Sequence, residues 1–125
     1  MPKITFTDAD LKSMISMEPG WYKVKMKECD EKTSKAGDST NYNCVFTVIE
    51  EGPLQGIEVS HSFNDKAEIG RKQIMYFFKC FMNGQPLESK KAYEWNDAIG
   101  LPIMAYCFYD STWKRNDIKE FKPVD

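Results

Sequence analysis

The sequence predicts a mainly β domain of five strands with one principal helix inserted between the third and fourth. Three observations carry this. Short runs of apolar and polar residues alternate with period two, the spacing at which successive strand side chains reach opposite faces. Only residues 74–81 carry a strong helical stripe. Turn residues separate the runs where links are expected. With 125 residues, 42 % of them hydrophobic, the chain suffices for one core, so 1–125 is read as one domain with 1–19 as its lead-in.

In the lead-in, Asp8 or Asp10 caps a short helix carrying Leu11, Met14 and Ile15 at i, i+3 and i+4. Glu18-Pro19-Gly20 ends it. The first strand runs from Trp21 to about Cys29, with Tyr22, Val24 and Met26 facing the core and Trp21, Lys23, Lys25 and Lys27 facing out. A polar loop follows from Asp30 to Asn41, with the turn Ala36-Gly37-Asp38. The second strand spans Tyr42 to Ile49, with Tyr42, Cys44, Phe46 and Val48 on one face and Asn43, Val45 and Thr47 on the other. After a turn at Glu50-Glu51-Gly52-Pro53, the third covers Ile57 to Phe63 and completes an antiparallel meander.

The helix opens at Asp65 and Glu68, an acidic form of the capping box, and stops at Asn83-Gly84. Its stripe is Ile74, Phe77, Phe78 and Phe81, a core-packing pattern. A short helix near Tyr93 to Ile99 precedes the fourth strand, Pro102 to Tyr109, which is apolar on both faces and expected to be well covered. The loop Asp110 to Asn116 leads to the last strand, Asp117 to Phe121. Three strands, a helix and two strands are the element order of the OB-fold. The expected architecture is therefore an OB-fold-like five-stranded Greek-key barrel, with the helix between strands 3 and 4.

Composition narrows the function. A net charge of −2 argues against a strongly basic coat for duplex DNA, and leaves room for one local cationic groove. Cys29, Cys44, Cys80 and Cys107 form no C-x-x-C pair and read as reduced, mostly buried thiols of a cytoplasmic protein; no metal site is expected. The start, Met1-Pro2-Lys3-Ile4-Thr5, lacks a signal-peptide pattern, and no run is long enough to span a membrane. His61 is the one histidine and has core parity, and no phosphate-cradling glycine loop is present. Neither an enzyme nor a cofactor is expected.

The cationic, aromatic outer face of the first strand points to single-stranded nucleic acid: mobile charges track phosphates and flat rings stack bases. On the OB plan, the candidate residues are Lys23, Lys25 and Lys27 on strand 1, Lys32 and Lys35 in the first loop, and Lys114 and Arg115 in the last. Trp21 and Trp113 are the stacking candidates. Asn43 and Thr47 offer hydrogen bonds, and Lys119 is a further phosphate contact. The rival reading is a protein-interaction module that binds a phage or host replication or recombination protein through the same aromatics. The sequence leaves a homo-oligomer open.

Several blocks carry a resemblance: Pro19-Gly20-Trp21-Tyr22-Lys23-Val24, Lys35-Ala36-Gly37-Asp38, Phe46-Thr47-Val48-Ile49-Glu50 and Gly52-Pro53-Leu54-Gln55-Gly56. Val59 with Phe63-Asn64, Ile99-Gly100-Leu101-Pro102 and Arg115-Asn116-Asp117-Ile118-Lys119-Glu120-Phe121-Lys122-Pro123 continue it, over residues 19–63 and 95–123. Together they resemble a phage and prophage family, long catalogued as a domain of unknown function, whose members are associated with single-stranded DNA binding and lie among replication and recombination genes. The resemblance implies an OB-like barrel and a single-strand-binding role. The chain departs from that pattern at Ser60 and Ser62, where relatives often carry bulkier or charged residues; many single-strand-binding proteins also end in an acidic, flexible tail, which here is either absent or lies beyond Pro123-Val124-Asp125.

Overall fold

The computed structural model describes residues 2–35, 37–82 and 84–124. Its elements are α1 (Asp8–Ser13), β1 (Gly20–Thr33), β2 (Thr40–Val48), β3 (Glu58–Asn64), α2 (Glu68–Lys79), a 3₁₀ turn (Trp95–Ala98), β4 (Pro102–Asp110) and β5 (Arg115–Lys122). All ladders are antiparallel, and the strand order is β3-β2-β1-β4-β5. The meander returns through α2 to place β4 beside β1, which is a Greek-key path.

The expected barrel is not formed. The sheet is open, with β3 and β5 as its two edges and no ladder joining them. The edges meet through side chains instead. His61 and Phe63 of β3 lie 5.6 and 5.9 Å, centroid to centroid, from Phe121 of β5. Rings of that size occupy the gap, whereas a closing ladder needs backbones about 4.8 Å apart.

The core lies between the inner sheet face and α2. Alternate residues of β1 to β4 are buried: Val24 and Met26, Cys44, Phe46 and Val48, Val59 and Phe63, and Ile103, Ala105 and Cys107. Phe77 is the fully buried residue of α2, with its ring 5.1–6.0 Å from those of Phe46, Phe63, Phe121 and Trp95. Ile74, Phe78 and Phe81 pack half-buried around it, so the helical stripe is core. On β4 only one face is buried; Met104, Tyr106 and Phe108 are half-exposed.

Local boundaries differ from the sequence expectation where tertiary hydrogen bonds intervene. β1 continues to Thr33, since Glu31, Lys32 and Thr33 pair with Tyr42, Asn41 and Thr40, so half of the expected loop is strand. The N-cap of α2 is Ala67, without a side-chain cap bond. Asp65 instead accepts from the Thr40 backbone N–H at 2.8 Å, tying the helix entry to β2. Of the expected stop, Asn83 lies outside the described residues, as does Ala36 of the first turn. In the lead-in, Thr7 rather than an aspartate is the N-cap, forming a capping box with Asp10. Asn116 anchors the segment by accepting from Met17 N at 2.9 Å and donating to the Ile15 carbonyl at 2.8 Å.

Candidate nucleic-acid interface

Among the described residues no helix packs on the outer sheet face, whose composition follows from strand register. β1 keeps the predicted alternation only as far as Met26. A β-bulge between Met26 and Glu28 places Lys27 as the extra residue, and the pairing then resumes with Glu28 opposite Val45. Beyond a bulge the facing parity inverts. Glu28 and Asp30 therefore join the outer face, and Cys29 turns inward opposite Cys44.

Read across the sheet, the outer face has a row of Glu120, Tyr106 and Trp21. Next come Lys122, Met104 and Lys23, and then Pro102, Lys25, Thr47 and Glu58. The following rows are acidic or neutral: Glu28, Val45 and Ser60, then Asp30, Asn43 and Ser62. Lys32, Asn41 and Asn64 finish the face. The predicted cations thus fall into two groups separated by Glu28 and Asp30.

The first group is compact. Trp21 is half-buried, edge-on to Tyr106 at 5.6 Å, and Lys122 Nζ sits 4.4 Å from its ring centroid. Such a cation–π contact already occupies one ring face. Lys23 and Lys25 follow on the same face, the first half-exposed and the second exposed. Trp113 is 70 % exposed in the β4–β5 turn. There the Asp110 carboxylate accepts from the Thr112 and Trp113 backbone N–H groups at 2.9 and 3.3 Å, and Lys114 takes a left-handed φ of 54°. The turn begins four residues along β4 from Tyr106, about 13 Å at strand rise, at the same end of the sheet as Trp21.

The remaining candidates are not all brought to this group. Lys27 is exposed but paired with Glu58, Nζ to Oε1 at 2.6 Å; the hydrogen bond from Lys27 and the Glu58 charge push the ammonium pKa up. Lys32, expected in a loop, is in β1, and Lys35 follows it in the turn. Lys32 lies eleven residues from Trp21, up to about 36 Å along an extended strand. The two basic loops therefore sit at opposite ends of the sheet. Asn43 accepts from Ser62 Oγ at 2.7 Å, and Thr47 is half-buried between Lys25 and Glu58. Arg115 belongs to β5 rather than the loop, 4.0 Å from Asp117. Lys119 is the extra residue of a second bulge and lines a shallow cavity of about 320 Å³ with His61 and Tyr76, away from the lysine row.

Sequence reasoning missed Tyr106 and Lys122, which complete the aromatic–cationic group around Trp21. Tyr106 lies within the expected fourth strand and Lys122 one residue past the expected fifth, and their position beside Trp21 depends on the β1–β4 and β4–β5 registers, which no local pattern encodes. Among the described residues no cluster of His, Cys, Asp and Glu could hold a metal ion, and no helix is long and apolar enough to cross a membrane. No family model and no curated protein matches the sequence.

Proposed function

We propose that the chain binds single-stranded DNA without sequence preference, through the outer face at the β1–β4–β5 end of the sheet. The role is binding rather than catalysis, in the cytoplasm of a phage-infected host, where it protects or presents single strands during replication or recombination. The observation that carries this reading is that Lys23, Lys25 and Lys122 share the outer sheet face with the Trp21–Tyr106 pair, at the end of the sheet whose turn carries the exposed Trp113. Phosphates meet the ammonium groups, and bases stack on Trp113 and on the free side of Trp21.

The test is a tryptophan-fluorescence titration with oligo-dT, matched RNA and duplex across a salt series. The expected result is quenching by oligo-dT that weakens with salt, with a log–log slope of about −0.7 per phosphate contact. Reversing Lys23 and Lys25 to glutamate abolishes it while the protein stays folded. Absence of single-strand binding at low salt overturns the reading.

A second reading has its own observation. Ile4, Phe6, Leu11 and Met14 are 59–82 % exposed in the lead-in, an apolar surface suited to a replication or recombination protein. Capture of such a partner with little salt dependence, and lost with Phe6→Ser and Met14→Ser, distinguishes it from nucleic-acid binding.

A further inference from the structure

The bulge at Lys27 brings Cys29 to the inner face, directly opposite Cys44 in the β1–β2 ladder. Opposed residues of an antiparallel pair have Cα atoms about 4.5–5.5 Å apart. A disulfide spans about 4.4–6.8 Å between Cα atoms, so the ladder separation falls within its range. The two sulfurs are in contact at 3.1 Å, with the Cys44 thiol donating to Cys29. Cys44 is buried and Cys29 only half-buried, so a reagent in solution reaches Cys29 first. The other thiols are placed differently: Cys107 is buried on β4 and donates to the Ala105 carbonyl at 3.7 Å, and Cys80 caps the far end of α2.

We propose that Cys29 and Cys44 form a reversible oxidation site, in which Cys29 is the attacking thiol, Cys44 the resolving thiol, and a low-molecular-weight disulfide such as oxidised glutathione the oxidant. The Cys29 thiolate attacks one sulfur of the oxidant, forming a mixed disulfide and expelling one thiolate. Cys44 then gives its proton to solvent and attacks the Cys29 sulfur. The bond to the small thiol breaks, the Cys29–Cys44 bond forms, and a second thiolate leaves. Two protein thiols lose two electrons, the oxidant gains them, and the departing thiolates take up the protons. Burial raises both thiol pKa values, and most strongly that of Cys44, while the hydrogen bond from Cys44 works to lower that of Cys29. This asymmetry fits the assigned order of attack. Disulfides of reducing compartments are usually transient or redox-sensing, which is how this pair coexists with a chain expected to hold reduced thiols. The bond ties β1 to β2 just before the hairpin end that carries Lys32 and Lys35.

The full chain is incubated with oxidised glutathione, the remaining thiols are alkylated, and intact mass and peptide mapping are read. The expected product is two hydrogen atoms lighter than the same protein with that link reduced, links Cys29 to Cys44, unfolds at a higher temperature and regains those two hydrogens with dithiothreitol. Cys29→Ser abolishes the link, as does Cys44→Ser. Because Cys44 is buried, the Cys29 variant decides the matter if the Cys44 variant fails to fold. Cys80→Ser and Cys107→Ser retain it. A mixed disulfide that stays on Cys29, a link through Cys80 or Cys107, or four thiols that all remain alkylatable each overturns the proposal.

Discussion

His61 on β3 and Asp117 on β5 join the two edges of the open sheet, Nδ1 to Oδ1 at 3.3 Å, each side chain about one-fifth exposed. Burial pushes the Asp117 carboxyl pKa up. The hydrogen bonds from His61 and the Ile118 N–H, with the charges of His61 and Arg115, outweigh it and hold the pKa below the usual carboxylate range. A carboxyl depressed on folding contributes stability above its unfolded pKa of about 3.9, and loses that contribution as pH falls through the folded value. Asp117→Asn is expected to cost about 1 kcal/mol at neutral pH, the net worth of one hydrogen bond. Urea unfolding at several pH values checks this: the gap between wild type and variant closes toward the acid limit, and a gap that stays constant assigns the effect to something other than the carboxylate.

Gly70 lies in the first turn of α2, where a built Cβ collides with the Asn64 backbone carbonyl. In an open helix, replacing glycine by alanine gains about 1 kcal/mol. Here the sign reverses, because the obstacle is backbone and β3 or α2 must shift. Gly70→Ala is expected to lower the thermal unfolding midpoint; an unchanged or raised midpoint contradicts the packing of the helix entry on β3.

The Lys27–Glu58 pair withholds one cation from the outer face. Glu58→Gln releases it. The expected outcome is several-fold tighter oligo-dT binding and a log–log salt slope steeper by about 0.7, one further phosphate contact. The same slope with tighter binding counts against Lys27 as that contact.

The two candidate tryptophans should separate under mutation. Trp113 makes no ring contact among the described residues and is mostly exposed, so Trp113→Ala is expected to leave stability within about 0.5 kcal/mol. If it stacks a base, affinity falls by about 1–3 kcal/mol. Trp21→Ala also removes the Tyr106 and Lys122 contacts, so it should cost about 0.5–1.5 kcal/mol of stability as well. Paired denaturation and binding curves measure both quantities, and a destabilised Trp113 variant would show that the turn is held by its indole.

The local part of the fold was legible. Five strands, the helix between the third and fourth, and the Phe77 stripe follow from period and turn chemistry, which neighbouring residues set among themselves. The inward parity of Val24, Met26, Phe46 and Val59 held because one buried face fixes each strand's alternation. The candidate site was legible only in part. Trp21, Lys23 and Lys25 share the expected face, but Lys27 is paired and Lys32 and Lys35 lie at the far end.

The sequence by itself determined which residues alternate, which run is helical and which turns separate them. Tertiary structure decided the rest. A single extra residue at Lys27 inverted the faces of Glu28, Cys29 and Asp30, since every side chain beyond a bulge changes side. Ring-sized side chains at the β3 and β5 edges left the sheet open, where element order alone suggested closure. Register across β1, β4 and β5 placed Lys122 over Trp21 from a hundred residues away. Such placements depend on which strands meet and at what offset, a property of the whole sheet and of no segment within it.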